Sequence, residues 1–169
     1  MCCLSLDIKN AFNETIRAAG LKRVWEDSRL RDIGYALHKK LACHALVGLG
    51  SGNDVQEAPY QSSEGHVQGA GEAMPMTCLT TDKANKVVNE FLRLYGGMLQ
   101  AGADDTYLVG PWRKVLEALE MFTALLEEVG LSLNESKTRI YIHQSERTDA
   151  FLTAIAEKKY NRRPSQRRR

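Results

Sequence analysis

The sequence predicts an α+β fold in which helices cover one layer of β-sheet. Short apolar runs typical of strands alternate with longer amphipathic segments typical of helices. The 169 residues, 43% of them hydrophobic, suffice for one domain with a real core. A pair of aspartates between two apolar runs also predicts a β-hairpin. We expect residues 1–160 to form a single domain and residues 161–169 to form a basic, disordered tail.

The first half of the chain is predicted to contain a strand, two helices and a hairpin. Asp27 and Ser28 are suitable caps for the second helix, because their side chains accept hydrogen bonds from free backbone N–H groups. Pro59 cannot donate to a ladder and fits best at a sheet edge. The predicted elements are a strand over 3–8, a helix over 10–20 ending near Gly20, a helix from about 28 to about 43, strands over 45–49 and 55–60 around a turn at 50–54, and a glycine-rich loop over 61–71.

The second half is predicted to hold two long helices on either side of the Asp-Asp hairpin. Apolar residues recur at helical spacing in both segments. Pro111 suits the first turn of the second of these helices, and Gly130 suits its end. The predicted elements are a helix from 72 or 76 to 94, hairpin strands at 98–99 and 107–109, a helix over 111–129, strands over 131–133 and 138–142 around a turn at 134–137, and a helix over 147–158.

Three carboxylates predict a site for divalent metal ions. Asp104 and Asp105 are adjacent in the hairpin turn, where like charges resist ionising together unless a hard cation lies between them. Asp7 ends a strand-like run although aspartate is disfavoured inside strands. A cluster of the three would suit two-metal phosphoryl or nucleotidyl transfer. The alternative is that the pair are ordinary turn residues and that Asp7 caps a helix.

Four segments, in order, resemble motifs A to D of reverse transcriptases, especially those of non-LTR retrotransposons and related retroelements. They are Leu6-Asp7-Ile8-Lys9-Asn10-Ala11-Phe12-Asn13 for motif A, Ser63-Glu64-Gly65-His66-Val67-Gln68-Gly69 for the start of motif B, Ala103-Asp104-Asp105 for motif C, and Gly130-Leu131-Ser132-Leu133-Asn134-Glu135-Ser136-Lys137-Thr138 for motif D. The resemblance covers about residues 4–142. It implies a polymerase palm, a ferredoxin-like antiparallel sheet with packed helices, and RNA-directed DNA polymerase activity.

The chain departs from the family pattern in motifs B and C. Motif C usually carries an aromatic residue two positions before its first aspartate, and in this chain that place is Ala101 or Gly102. The end of motif B differs as well, so its key glycine can be either Gly69 or Gly71. These departures weaken the prediction of a nucleotide-binding role for Gln68 more than they weaken the prediction of the metal site.

The resemblance also implies site residues. Asp7, Asp104 and Asp105 would hold two Mg²⁺ ions, for which Mn²⁺ can substitute. Lys137 would donate a proton to the departing pyrophosphate, the alternative being an ordinary turn lysine. Phe12 would block a ribose 2′-hydroxyl, the alternative being a core aromatic residue.

The start of motif B is implied to shape the nucleotide pocket through Gly65, Gln68 and Gly69, and a flexible loop is the alternative. The implied partners are a primed RNA or DNA template and deoxynucleoside triphosphates. With only six residues before Asp7, we expect the fingers and thumb to be missing segments of a larger polyprotein. The isolated chain would then be inactive.

Two other functions are compatible with the residues. A retroelement relic without catalysis would be at most a weak nucleic-acid-binding or interaction module, and primer extension by the chain alone would refute it. A nucleotide cyclase-like domain also builds a metal site on a ferredoxin-like sheet, and product analysis would identify it.

The charge distribution and the cysteine content limit which partners and which cellular location the sequence predicts. Residues 1–160 contain 18 basic and 21 acidic residues, whereas 161–169 contain five arginines and no acid. The body is therefore no basic cradle, and the tail either contacts phosphates, acts as a nuclear address or is simply solvated. The four cysteines lack Cys-X-X-Cys spacing, so we expect reduced thiols, no zinc and an intracellular location, nuclear or cytoplasmic. We expect no membrane partner, since no apolar run reaches spanning length.

Overall fold

The computed structural model of the protein describes residues 1–42, 45–49, 56–62, 65–66, 70–102 and 105–160. The strands are β1 (Cys2–Lys9), β2 (Ala45–Leu49), β3 (Gln56–Ser62), β4 (Met98–Ala101), β5 (Asp105–Gly110), β6 (Ser132–Leu133) and β7 (Arg139–Ile142). The helices are α1 (Ala11–Glu14), α2 (Arg17–Glu26), α3 (Arg31–Ala42), α4 (Ala73–Arg93), α5 (Trp112–Glu127) and α6 (Asp149–Tyr160), and a 3-10 turn spans Gln144–Glu146.

An antiparallel sheet with β1 at its centre organises the fold. β5 pairs with one edge of β1 and is followed by β4, while β6 and β7 pair with successive parts of the other edge. β2 and β3 form a separate two-stranded hairpin. The α+β class and the antiparallel sheet with packed helices, both predicted from the sequence, are confirmed.

The sheet has one covered face and one open face, because alternate side chains of a strand point to opposite sides. On the covered face Leu6 lies opposite Thr106, and both are buried. The open face carries the alternate residues of the two strands, which are exposed or partly exposed. They are Cys3, Ser5 and Asp7 of β1 and Asp105, Tyr107 and Val109 of β5.

α5 and the second half of α4 pack on the covered face and form the sheet core with it. Among the described residues, this core is a contiguous cluster of thirteen buried residues: Cys2, Leu4, Leu6, Ala84, Val88, Leu92, Leu108, Val115, Ala118, Leu119, Phe122, Leu126 and Leu131. Burial raises the pKa of the Cys2 thiol to about 11, because the thiolate is poorly solvated there.

A second, smaller cluster lies between α2, α3 and the first half of α4, and we call it the helical core. Val24, Leu41 and Met76 are its buried members. Gly20 lets α2 approach α4 closely, because a Cβ there would lie 2.7 Å from Cε of Met76 and 2.9 Å from Oγ1 of Thr80. The two cores place the sheet and the α2–α3 pair at different ends of α4.

The predicted helix over 10–20 is wrong in its bounds. The chain leaves helical geometry after α1, and Ile16 is extended at the start of α2. Consecutive β-branched residues disfavour a helix, and the Thr15 hydroxyl donates to the carbonyl of Ala11. Gly20 lies inside α2 instead of ending it, because the contact with α4 requires a residue without a side chain.

The start of α3 also differs from the prediction. The carboxylate of Asp27 accepts from the backbone N–H of Arg29 at 3.0 Å and from its guanidinium at 2.6 Å. This local contact forms a turn, so α3 begins at Arg31 and not at Ser28. Pro111 is likewise the N-cap of α5 and not part of its first turn.

The remaining predicted elements are largely confirmed. The β2–β3 hairpin, the long helices α4 and α5, the β4–β5 hairpin and α6 lie within a few residues of their predicted positions. Gly130 follows α5 with a φ of +78°, which glycine adopts without strain. β6 and β7 pair with β1 and not with each other. The loop predicted over 61–71 begins later than expected, because β3 continues to Ser62. The turn at 50–54, residues 63–64 and 67–69 of that loop, and the tail over 161–169 fall outside the described residues.

Candidate functional site

Asp7 and Asp105 lie directly opposite each other where β1 and β5 meet. They are register partners in the antiparallel ladder. Residues in such positions have Cβ atoms about 4.5–5.5 Å apart and project from the same face of the sheet. The side chain of Asp7 is 29% exposed and Asp105 is exposed. Two carboxylates therefore converge at one end of the open face.

Backbone hydrogen bonds hold both aspartates in place. The N–H of Asn134 donates to the carbonyl of Asp7 at 2.8 Å, and the N–H of Gly102 donates to the carbonyl of Asp105 at 2.7 Å. Gly102 and Asp105 thus close the β4–β5 hairpin, with two residues between them in the sequence. Asp104 is one of these two and lies outside the described residues.

The donor set suits a hard divalent cation. Carboxylate oxygens are the ligands that Mg²⁺ prefers, usually one or two from the protein together with phosphate oxygens and water. In the described part of the chain no group of three histidine, cysteine or acidic side chains is gathered for a metal. Asp7 and Asp105 are the two carboxylates brought together there, and Asp104 directly precedes Asp105 in the sequence.

Lys137 places a cation beside this pair. Its Nζ lies 3.6 Å from Oδ1 of Asp7, and its side chain is 66% exposed. The turn that carries it is closed by the N–H groups of Lys137 and Thr138, which both donate to the carbonyl of Asn134. An exposed ion pair of this kind contributes at most about 1 kcal/mol to stability, so Lys137 can leave Asp7 readily.

The start of the predicted motif B lies against α1. The N–H of His66 donates to the carbonyl of Phe12 at 2.5 Å, and the N–H of Gly65 donates to the carbonyl of Thr15 at 2.9 Å. Gly65 has a φ of +72°, in the left-handed region that favours glycine. Phe12 and Gly65 are therefore neighbours, whereas Gln68 and Gly69 lie outside the described residues.

His66 was not singled out from the sequence, although it stands within the predicted motif B. Its side chain is only 5% exposed, and neither ring nitrogen has a hydrogen-bond partner in the described part of the chain. Burial lowers its pKa, the positive charge of Arg17 lowers it further, and Glu72 opposes the shift. The imidazole is thus neutral at neutral pH.

Three side chains on the open face adjoin the aspartates and were also missed. Tyr107 and Arg139 lie opposite Ser5 in the two ladders that flank β1. The signal for Ser5 and Tyr107 is present in the sequence, because each stands two residues from an aspartate and shares its strand face. No local signal places Arg139, since its position depends on the pairing of β7.

In the part of the chain that the structure describes, no helix combines the length and apolar character needed to cross a membrane.

No protein-family model matches the chain, and no curated protein matches it significantly. Solved structures of telomerase are similar in fold. The chain aligns to the apo telomerase of Candida tropicalis truncated from its C-terminal domain with 15% identity and a TM-score of 0.63, over 87% of this chain and 31% of that one.

Two further telomerase structures give the same result. The apo telomerase of Candida tropicalis is 13% identical over 86% of this chain and 29% of that one, with a TM-score of 0.64. The telomerase of Candida albicans in complex with the TWJ fragment of telomeric RNA is 17% identical over 87% of this chain and 27% of that one, with a TM-score of 0.60. The chain spans less than a third of these proteins. At such identities, the likeness establishes a reverse-transcriptase-like fold and nothing finer.

Proposed function

We propose that this chain is the palm of an RNA-directed DNA polymerase that extends a primer 3′-hydroxyl by two-metal nucleotidyl transfer. The observation that carries the proposal is the register pairing of Asp7 with Asp105 on an open sheet face. The order of the four motifs supports the reverse transcriptase class, and their form favours a retroelement source. The fold shared with telomerases is consistent with this class.

Asp7 and Asp105, together with Asp104, are the residues that would hold Mg²⁺, with Mn²⁺ as a substitute. When bound, the two ions lower the pKa of the attacking hydroxyl and neutralise the triphosphate. The aspartates contribute by converging from two neighbouring strands, so that the sheet itself sets their separation. A site held by a β-ladder needs little reorganisation before the reaction.

Lys137 is the proposed proton donor to the departing pyrophosphate. Its ammonium group is already at the carboxylate site, 3.6 Å from Asp7, and its exposed side chain is free to turn toward a bound phosphate. A positioned general acid typically contributes about 10²–10⁴ in rate.

Phe12 and Gly65 are proposed to form the wall of the nucleotide pocket. The hydrogen bond from His66 to the carbonyl of Phe12 connects motif B to the helix that follows Asp7. The ring of Phe12 would then exclude a ribose 2′-hydroxyl, and Gln68 and Gly69 would complete the wall. The substrates would be deoxynucleoside triphosphates and a primed RNA or DNA template, gripped also by fingers and thumb segments of a larger protein.

The acidic body favours a second candidate function. Residues 1–160 carry more acidic than basic residues, as a relic or interaction module without catalysis would tolerate. Nucleic acid would then bind weakly, mainly through the arginine tail. Such a module would bind nucleic acid without binding metal at Asp7 and Asp105.

The metal site is tested by titrating the full chain with Mn²⁺ and following the free ion by electron paramagnetic resonance. Asp7→Asn and Asp105→Asn are each expected to weaken binding at least about tenfold, because changes even in outer-shell partners cost 10–100-fold. Asp149→Asn is the matched control, since this exposed carboxylate starts α6. Equal affinity in all four proteins would refute the metal site.

Catalysis is tested by primer extension in the complete polymerase that contains this chain. Asp104→Asn is expected to lower the extension rate at least about 100-fold, because a metal ion supplies several kcal/mol of transition-state stabilisation. Asp149→Asn should extend normally. Full activity of the Asp104 variant would exclude the proposed assignment.

A further inference from the structure

Charge is unevenly distributed over the acidic body of the protein. Residues 17–42, which form α2 and α3, contain seven basic and three acidic residues, whereas the rest of residues 1–160 contains 11 basic and 18 acidic residues. The α2–α3 pair is therefore a local basic region on an otherwise acidic domain. Such a region attracts polyanions even when the net charge of the protein is small.

α3 presents one outer face formed by a cation, an aromatic ring and a second cation. Gly34, Leu37 and Leu41 are its buried or half-buried inner residues. Arg31, Tyr35 and Lys39 follow one another at intervals of four on an outer flank of the helix, where helical geometry aligns them in one row. All three are exposed, and Tyr35 is 70% exposed. We call this row the α3 stripe.

The two cations of the α3 stripe are not neutralised by ion pairs. Neighbouring basic residues are paired, as in Arg29 with Asp27 at 2.6 Å and Lys40 with Glu72 at 2.8 Å. Within the described residues, neither Arg31 nor Lys39 has a carboxylate within ion-pair distance. Both positive charges are therefore available to an anionic partner, and the exposed ring of Tyr35 lies between them.

Packing fixes the direction in which the stripe points. Gly34 lies under the ring of Trp25, since a Cβ at Gly34 would be 3.3 Å from three of its atoms. Because this contact faces α2 and successive helical residues are about 100° apart, Tyr35 lies on an exposed flank of α3 beside the contact. The orientation of the stripe is therefore set by the helical core.

The C-terminal end of α3 is joined to the candidate site. Arg17 donates to the carbonyl of Leu41 at 3.2 Å and to that of Gly65 at 2.5 Å. Gly65 and His66 are in turn bonded to the segment that contains Phe12. An extended polyanion bound along the stripe in the direction of Lys39 would thus run toward the residues that follow Asp7.

We propose that the α3 stripe binds single-stranded nucleic acid, with Arg31 and Lys39 on phosphates and a base stacked on Tyr35. The proposal rests on the proposed function for its choice of polyanion. Eight residues of helix span about 12 Å, the length of three to four stacked nucleotides. Aromatic stacking combined with a basic track is the usual mode of sequence-independent single-strand binding.

The test measures binding of a fluorescein-labelled single-stranded 20-mer by anisotropy, in EDTA and over a series of salt concentrations. All proteins are full-length and carry glutamine in place of the five tail arginines, so that the tail does not contribute. Tyr35→Ala is compared with Tyr95→Ala, another partly exposed tyrosine, at the far end of α4. The double variant Arg31→Gln, Lys39→Gln is compared with the double variant Lys83→Gln, Lys86→Gln. The two lysines of this control are exposed but ion-paired.

Tyr35→Ala is expected to weaken binding at least about fivefold without changing the salt dependence, because stacking carries no charge. The Arg31 and Lys39 variant should lower the slope of log K against log salt by about 1.4, since each lost phosphate contact on a single strand contributes about 0.7. Both control proteins should bind as the parent does. Absence of binding by the parent, or equal losses in test and control variants, would overturn the proposal.

The outcome is independent of the metal site. Because EDTA removes divalent ions, a failed Mn²⁺ titration leaves this measurement unaffected, and a failure here leaves the Asp7 and Asp105 assignment standing. Circular dichroism and the melting temperature of each variant exclude unfolding as a cause, since the substituted side chains of α3, of α4 and of Tyr95 are all exposed.

Discussion

The sheet region and the α2–α3 region of this domain differ in the size of their buried clusters and in the sign of the charge they carry. Among the described residues, the sheet core joins thirteen buried residues from strands and two helices, whereas the helical core has three buried members bordered by partly buried leucines. The sheet region carries the paired carboxylates, and the α2–α3 region carries the excess of basic residues. In the described part of the chain, the larger buried cluster thus lies beneath the aspartates, and the excess of positive charge lies on the helix pair with the smaller cluster.

The difference indicates how one small domain can hold a rigid site beside a charged surface. Asp7 and Asp105 are held by a ladder whose other face is fully packed, so their separation changes only if the core changes. α3 needs only one packed side, and its outer side is available to solvent. Three sets of substitutions can break or sharpen this contrast.

The largest expected effect comes from removing one valine from each core. Val88 and Val24 are both fully buried on helices, Val88 in the sheet core and Val24 in the helical core. We expect Val88→Ala to lower the free energy of unfolding by about 2–3 kcal/mol, because two methyl groups are lost and the cavity cannot collapse. Val24→Ala should cost about 1–2 kcal/mol, because the partly buried leucines around it can move into the space.

Urea denaturation of the full chain measures both values. Tyr35→Ala serves as the surface control and should change the free energy of unfolding by less than about 0.5 kcal/mol. An equal or larger loss for Val24→Ala would mean that the helical core is packed as tightly as the sheet core, and the contrast would fail.

A smaller effect is expected from two glycines at helix contacts, Gly20 where α2 approaches α4 and Gly34 where α3 approaches α2. Gly20→Ala places a Cβ 2.7 Å from Met76, and overpacking of this kind costs about 1–3 kcal/mol. The better helix propensity of alanine returns about 0.5–1 kcal/mol, so a net loss near 1 kcal/mol is expected. In Gly34→Ala the new Cβ would lie 3.3 Å from atoms of the Trp25 ring. Because this ring is partly exposed, it can shift to relieve the contact.

Thermal unfolding of the two alanine variants distinguishes these cases. Gly34→Ala should leave the melting temperature unchanged or raise it, and Gly20→Ala should lower it by several degrees. If both substitutions raise the melting temperature, the close approach of α2 and α4 is not required for stability.

The smallest effect on stability is expected at Lys137. Lys137→Ala removes an exposed ion pair with Asp7, so the free energy of unfolding should change by less than about 1 kcal/mol. The same variant of the complete polymerase should lose about 10²–10⁴ in extension rate if Lys137 is the proton donor. Lys83→Ala, which breaks the exposed pair with Glu128, is the matched control.

A stopped-flow measurement of single nucleotide addition separates the two roles of Lys137. A rate equal to that of the Lys83 variant would leave Lys137 as a surface lysine. A large stability loss without a rate loss would instead assign it a structural role.

Local patterns were sufficient to predict most elements but failed at their junctions. The helical periods of α4 and α5 and the apolar runs around the Asp-Asp turn were read correctly, because each is encoded within one segment. The break between α1 and α2 was missed, since the hydroxyl of Thr15 competes with the helix for the carbonyl of Ala11. The early start predicted for α3 overlooked the contact between Asp27 and Arg29.

The identity of the site residues could be predicted from the sequence, whereas their proximity depends on the topology of the sheet. The residues Asp7, Asp105 and Lys137 could be named from their motifs. That Asp7 faces Asp105 depends on the register of β1 with β5, and that Lys137 reaches Asp7 depends on β6 and β7 both pairing with β1. Strand pairing between distant segments has no local signature, and a one-residue slip would turn the aspartates to opposite faces.

The sequence by itself determined the fold class, the principal helices and strands, and the chemistry available to the site. Only the tertiary structure decided which side chains share a surface. The open face beside Asp7, the buried position of His66 and the outward direction of the α3 stripe all arise from packing against residues far away in the chain. Periodicity and residue type are local properties, whereas the opposition of two side chains is set by the pairing and packing of whole elements.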